Sequence, residues 1–239
     1  MPTLTKINLL VYLAIWRRPE ITELCLIGID RLKRHPAYNI DTVAVISETE
    51  MIPLCEKHDV RWVMHQNLPL GKKKNYGLKV CSQHDFDYLM EIGSDDLITN
   101  EMLDHYFDYF FKYDFFGISD VAYIESESLE CRRLTNKSTT YGAGRCIKRD
   151  ILVDLNWNIW SDELNRGLDN DSIRRIESKG YKFKKVEPMD VPGLIDIKSS
   201  ENIWKFNYFL GHEYDINKVL SKLSSSEVTK LNSLSNVSA

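Results

Sequence analysis

The sequence has no Cys-x-x-Cys pair, no apolar run long enough to cross a bilayer and no excess of basic residues. Its five cysteines (Cys25, Cys55, Cys81, Cys131 and Cys146) are odd in number and widely spaced, which argues against a zinc or dithiol redox site. They read as small buried hydrophobes, and reduced thiols fit a cytoplasmic protein. The apolar stretch Ile7 to Ile15 falls well short of the roughly 20 residues a spanning helix needs. It also lacks a small-residue cleavage site, so it is not read as a signal peptide. A formal net charge of −4 gives no global field favouring nucleic acid, although local basic clusters remain open. No internal repeat is evident. With 239 residues, the chain can bury a sizeable core without disulfides or structural metal.

What is present alternates in period. Ile7 to Ile15, Thr42 to Ile46, Val60 to Met64 and Phe86 to Ile92 read as strands. Between them, Pro19 to Arg34, Glu50 to about Lys57 and Leu70 to about Gln83 read as helices. Strand and helix in strict alternation predict an α/β fold with a mostly parallel, Rossmann-like central sheet flanked by helices. Further on, Met102 to Tyr113 reads as a helix with an aromatic core stripe and Gly117 to Ile124 as a strand. Glu125 to Thr139 reads as a polar hairpin or excursion, Asp169 to Gly180 as a helix and Tyr181 to Val186 as a strand. The Ser-, Asn- and Thr-rich end from about Ser224 reads as a loosely ordered tail. One domain over residues 1–223 is expected, with halves at about 1–100 and 101–223, followed by a flexible tail at 224–239.

The fourth strand stops at two adjacent carboxylates, Asp95 and Asp96. Open α/β sheets bind ligands at such carboxyl edges. Paired carboxylates need a cation or strong donors beside them, and a divalent metal carrying a phosphate-bearing substrate is one such partner. The alternative is that the pair ends the strand and caps the next helix.

Four landmarks in order add to this reading. They are Trp16-Arg17-Arg18-Pro19 after the first strand, Gly71-Lys72-Lys73-Lys74-Asn75-Tyr76-Gly77, Ile92-Gly93-Ser94-Asp95-Asp96-Leu97, and Gly167-Leu168-Asp169-Asn170-Asp171 running on to Lys179-Gly180-Tyr181. Together, across about residues 7–190, the chain resembles glycosyltransferases of the A-type (GT-A) fold, in particular the family 2 group of inverting, nucleotide-sugar-dependent enzymes. Gly93 and Leu168 depart from that family's pattern, standing where many members have an aspartate and a glutamate.

The resemblance implies a metal-dependent transferase that moves a sugar from a nucleotide-diphosphate sugar to a hydroxyl acceptor. It implies Mn²⁺ or Mg²⁺ at Asp96, with His212 as a late ligand, and Asp169 as general base. It implies Tyr12, Ala14, Arg17, Glu48, Lys72, Asn75 and Asp95 as donor-binding residues, and Tyr141 to Arg145 as a segment facing sugar. Each has a structural alternative. Asp169 or Asp171 can cap a helix, His212 can be a lone surface histidine, and the lysines can form a solvated face on which no more than two point one way. Trp157, Trp160 and Trp204 can pack in the core rather than stack on sugars. The acceptor class is open: a glycan, a lipid-linked sugar, a protein or a modified DNA base. Two other functions remain. A nucleotidyltransferase would share the sheet, but Trp16-Arg17-Arg18 stands where its glycine-rich loop is expected. A non-catalytic carbohydrate- or nucleic-acid-binding module would keep the fold without turnover.

Overall fold

In the first strand, β1 (Ile7–Ile15), successive side chains serve two cores. Leu9, Val11, Leu13 and Ile15 join one apolar cluster, and Leu10 and Tyr12 join the other. A strand buried on both faces must lie inside a sheet covered on both sides. The structure, a computed structural model, describes residues 6–135, 140–202, 205–208 and 211–235.

The expected alternation is present: α1 (Pro19–Leu32), β2 (Tyr38–Ile46), α2 (Ile52–Lys57), β3 (Arg61–Met64), α3 (Leu70–Cys81) and β4 (Tyr88–Gly93). After it come β5 (Asp96–Ile98), α4 (Asn100–Phe110), β6 (Phe115–Ile118), β7 (Asp120–Glu125), β8 (Cys131–Thr135), β9 (Arg145–Lys148) and α5 (Arg149–Asp154). The remainder is α6 (Leu168–Glu177), β10 (Lys184–Val186), β11 (Leu194–Lys198), β12 (His212–Glu213), α7 (Ile216–Leu220) and α8 (Ser225–Leu234).

Two sheets result. The larger has the order β10-β6-β9-β4-β1-β2-β3. Strands β1 to β4 run parallel, and β9 is antiparallel to both its neighbours. The chain winds outward from β1 to β3, then crosses back to lay β4 on the other side of β1. That reversal opens a crevice at the carboxyl ends of β1 and β4. The smaller sheet, β12-β8-β7-β11-β5, packs through Ala122, Ile124, Ile195 and Ile197 against Ile21 and Leu24 of α1. The strand expected over Gly117 to Ile124 is in fact β6 and β7, which belong to different sheets. The alternating stretch from Tyr181 pairs only over β10.

Residues 225–234 correct the expectation of a loose tail. They form α8, opened by a capping box between Ser224 and Glu227. Fully buried Glu227 accepts from Arg31 Nε (2.8 Å) and Nη2 (2.9 Å), and Arg31 also donates to the Ile98 carbonyl and to Asn100 Oδ1. Polar composition concealed this helix, because its one core residue, Leu231, and its buried ion pair are sparse signals. No helix among the described residues is long and apolar enough to cross a membrane. All five cysteines are buried and free.

Candidate active site

The crevice is a cleft of about 520 Å³, and Tyr12, Ala14, Arg17, Asp95, Asp96 and Asp169 line it. Its first wall begins where β1 ends. Arg17 and Arg18 both adopt left-handed backbone (φ 55°), an uncommon conformation for side chains of this size. Pro19 then fixes the first turn of α1. The twist turns Arg18 inward, so that it donates to Asp95 Oδ2 (2.8 Å) and Ser94 Oγ (3.2 Å). Arg17 turns outward with its guanidinium 4.5 Å from the Trp16 ring, while its backbone N–H donates to Glu48 Oε2 (2.9 Å).

At the end of β4 the chain turns into β5, where Asp96 pairs directly with Asp196 of β11. Three carboxylates therefore meet with two cations. Asp95 Oδ2 also accepts from Asn202 Nδ2 (2.5 Å), and Asp196 Oδ2 binds Lys198 Nζ (2.6 Å). Burial pushes the Asp95 carboxyl up, but the charges of Arg18 and Lys198 and the Arg18 and Asn202 hydrogen bonds hold it below its usual value. Among the described residues, the Asp96 carboxylate accepts from the Gly93 N–H alone (2.8 Å). Burial first, then the charges of Asp196 and Asp95, drive it well above the usual range. Asp196 is pushed up to about 6 by burial, with Lys198 opposing and Asp95 adding. Neither Asp95 nor Asp96 caps α4; Thr99 does, accepting from the Met102 N–H. Gly93 is required by this packing, since a Cβ there would lie 2.4 Å from Asp96 Oδ2 and 2.9 Å from Asp95 Oδ1.

The floor of the cleft comes from α3. Lys72 is exposed and outside the lining, a correction to its expected donor-binding place. The helix phase explains it. Gly71 is pressed against the 161–164 loop, where a Cβ would stand 2.0 Å from the Ser161 carbonyl, and this turns Lys73 and Lys74 inward. Lys73 Nζ donates to the Ile15 carbonyl (2.5 Å) and Asn67 Oδ1 (3.2 Å), and burial lowers its amine to about 7, with Glu48 opposing. Lys74 Nζ pairs with buried Glu91 and sits 4.1 Å from the Trp160 ring centre. Tyr12 Oη donates to the Lys74 carbonyl (2.7 Å).

Asn75 also departs from its expected role. It faces the protein, donating to the Trp160 carbonyl (2.6 Å) and Asp162 Oδ1 (2.7 Å) and accepting from the Trp160 N–H (3.2 Å). Its work is to fasten the loop that leads into α6. Asp171 fastens the same loop by accepting from the Ser161 N–H (2.6 Å) and Oγ (3.1 Å). The cap of α6 is Gly167, so neither Asp169 nor Asp171 is the N-cap.

Asp169 stands half-buried on the opposite wall, beside Gly142, where a Cβ would come within 2.4 Å of its Oδ1. Among the described residues no side-chain or backbone donor meets its carboxylate. Tyr141, Gly142 and Ala143 line the cleft as the sequence suggested, but Arg145 points away to Ser172 Oγ (2.6 Å). His212 is not brought to the site. It lies exposed on β12, at the edge of the smaller sheet opposite β5. Glu48 does not line the cleft; it accepts from the Arg17 backbone N–H, and its charge acts on the Lys73 amine. Trp160 and Trp157 pack in the core, and Trp204 lies outside the described residues. Sequence reasoning missed Arg18, Glu91, Asp196, Lys198 and Asn202. The one available signal for the β11 pair was the placing of two charges inside the apolar strand Leu194-Ile195-Asp196-Ile197-Lys198.

No protein-family description matches the chain, and no curated protein matches it by sequence. Solved structures do match in fold. S. aureus TarS 1–349 superposes with a TM-score of 0.57 at 13% identity, over 80% of this chain and 60% of that one. The same protein in complex with UDP gives 0.57 and 13%, over 81% and 61%. The mannosyltransferase PcManGT from Pyrobaculum calidifontis, in complex with GDP-Man and Mn²⁺, gives 0.57 and 14%, over 85% and 60%. The chain spans about 60% of the length of these structures. At such identities the likeness is one of fold, and the fold shared is that of a mannosyltransferase and of a protein that holds UDP.

Proposed function

We propose that the cleft is the active site of a metal-dependent glycosyltransferase of the A-type fold, family 2-like, acting with inversion on a nucleotide-diphosphate sugar and a hydroxyl acceptor. One observation carries the reading. The carboxylate pair ending β4 and the carboxylate opening α6, far apart in sequence, face one cleft at the point where the strand order reverses.

The residues present fit a hard divalent cation. Asp196 Oδ1 is buried without a hydrogen-bond partner among the described residues, directly across the strand pair from Asp96. No three potential ligands among the described residues are arranged to hold a metal alone. Mg²⁺-type sites commonly use one or two carboxylates and complete their shell with substrate phosphates and water. Asp96 and Asp196 would hold the ion, which would supply positive charge against the diphosphate.

The chain's own groups do the rest. Asp95 holds Arg18 at the diphosphate side of the cleft. Asp169 takes the proton of the acceptor hydroxyl as its oxygen bonds to the anomeric carbon. The carbon–oxygen bond to the diphosphate breaks on the opposite face, and its electron pair leaves with the nucleoside diphosphate. Attack from the face opposite the leaving group inverts the carbon. The test is a panel of nucleotide sugars with Mn²⁺ or with EDTA, read as nucleotide release. Release that depends on Mn²⁺ and on Asp169 supports the reading; equal release by Asp169→Asn removes it as base. Calorimetry should find Mn²⁺ binding tighter with nucleotide present than without it.

A further inference from the structure

The buried pair Lys74–Glu91 in the floor of the cleft takes no part in the transfer as described above. Glu91 belongs to β4, an interior strand between β1 and β9, and shares a face with Leu89, which packs in the apolar core. The next residue on that face is Gly93, where the carboxylates of Asp95 and Asp96 converge. Two residues advance a strand by about 7 Å, so Glu91 lies one such step inward from the end proposed for the diphosphate. It also reaches the opposite wall. The point that a Cβ would occupy at Gly142 is 2.4 Å from Asp169 Oδ1 and 3.4 Å from Glu91 Oε1. A sugar whose anomeric carbon is placed between the diphosphate and Asp169 therefore rests over Glu91.

Only half of the Glu91 carboxylate is used by the protein. Lys74 Nζ, held against the Trp160 ring, takes Oε1, whereas Oε2 is buried with no hydrogen-bond partner among the described residues. The residue as a whole is 5% exposed, yet it lines the cleft. An ionised oxygen buried without a donor is costly. Apolar side chains of similar volume commonly hold an interior at least as well as a buried ion pair. Stability thus does not account for the pair, and a donor arriving with a ligand does. The last torsion of a glutamate is broad and two-fold, so one oxygen can keep Lys74 while the other turns to the cleft. Because Lys74 already balances the charge of Glu91, the spare oxygen suits a neutral hydroxyl better than a second cation.

We infer that Glu91 is a specificity-determining residue of the cleft: one carboxylate oxygen stays with Lys74 while the other accepts a free hydroxyl of the transferred sugar, so the donor is a sugar unsubstituted at the position over the floor. The inference rests on the proposed transfer reaction.

The probes are UDP, GDP and their glucose, galactose and mannose conjugates, titrated calorimetrically into the whole protein with Mn²⁺. Any conjugate that binds more tightly than its own diphosphate is then tested with each sugar hydroxyl in turn replaced by hydrogen. One such analogue should bind about tenfold to a hundredfold more weakly than its parent, the range for a hydrogen bond to a charged group. Glu91→Gln, which keeps an acceptor for Lys74, should narrow that ratio several-fold. Glu91→Leu/Lys74→Met, which replaces the pair with apolar side chains, should bring it close to one. Each ratio compares two ligands on one protein, so a loss of folded material cancels. The wild-type panel alone can sink the idea, by equal binding of every deoxy analogue or by no conjugate exceeding its diphosphate. Nucleotide release with the same hydroxyl preference in wild type and Glu91→Leu/Lys74→Met would overturn the inference and keep the transferase. Hydroxyl-selective binding that follows Glu91, with no nucleotide release from any conjugate, would keep the sugar contact and sink the transfer reaction.

Discussion

Carboxylates occupy both ends of the cleft, but their surroundings differ. At the β5–β11 end, Asp95, Asp96 and Asp196 are crowded together with Arg18, Lys198 and Asn202. At the α6 end, Asp169 stands beside a glycine, and no donor among the described residues meets its carboxylate. The crowded end holds excess negative charge that one more cation would relieve. The sparse end leaves a carboxylate able to meet a proton arriving on a substrate. Identical side chains are thus given different surroundings by what packs against them, as Asp171 also illustrates: two residues along α6 from Asp169, it is consumed in fastening Ser161.

The sharpest way to break this contrast is to disable each end in turn. Asp169→Asn should lower transfer by about 10²–10⁴-fold, the usual worth of a positioned general base, while nucleotide affinity in Mn²⁺ stays within error by calorimetry. Asp96→Asn should show the opposite split, weakening Mn²⁺-dependent nucleotide binding by about tenfold to a hundredfold. If both variants lose nucleotide binding equally, the two ends are not distinct.

A milder probe is Gly142→Ala. Its Cβ must displace the Asp169 carboxylate, and transfer should fall about tenfold with melting temperature and nucleotide affinity little altered. The smallest expected effect concerns the floor between the ends. The Lys73 amine titrates at about 7 when folded against 10.5 in the open chain, so the unfolded state binds more protons between those values. Its contribution to stability is therefore full above about 10.5 and is lost as pH falls through about 7. Urea melts should show Lys73→Met with a flatter pH dependence than wild type across that window, by up to about 1.4 kcal/mol per pH unit. Parallel slopes would mean the amine stays charged when folded.

The N-terminal alternation was legible because each of its elements is announced locally, by an apolar run or a helical stripe bounded by its own turn. The Asp95-Asp96 and Asp169 landmarks were legible for the same reason, as short patterns at the ends of elements. What was not legible depends on contacts between distant segments. Which lysine of Lys72-Lys73-Lys74 enters the cleft is set by Gly71 meeting the 161–164 loop. Arg18 rather than Arg17 faces Asp95 because two successive left-handed residues reverse the chain there. Asp196 acquires meaning only when β11 is laid beside β5, and the Ser- and Asn-rich end becomes a helix only when Arg31 is there to receive Glu227. The donor-site asparagine expected at Asn75 is instead the fastener of the loop carrying Asp169 toward the cleft.

Gly93 has a consequence for the changes this protein can accept. The position where a third acidic side chain would stand in β4 is already filled by oxygen atoms of Asp96 and Asp95. A single codon change from glycine to aspartate would therefore produce collision and added repulsion, not a richer ligand set. The third carboxylate of this end stands instead on β11, at Asp196, across from Asp96. A descendant that gains an acidic side chain at position 93 must also shift the Asp96 and Asp95 carboxylates, so the cost of that change is felt in how β5 lies against β11.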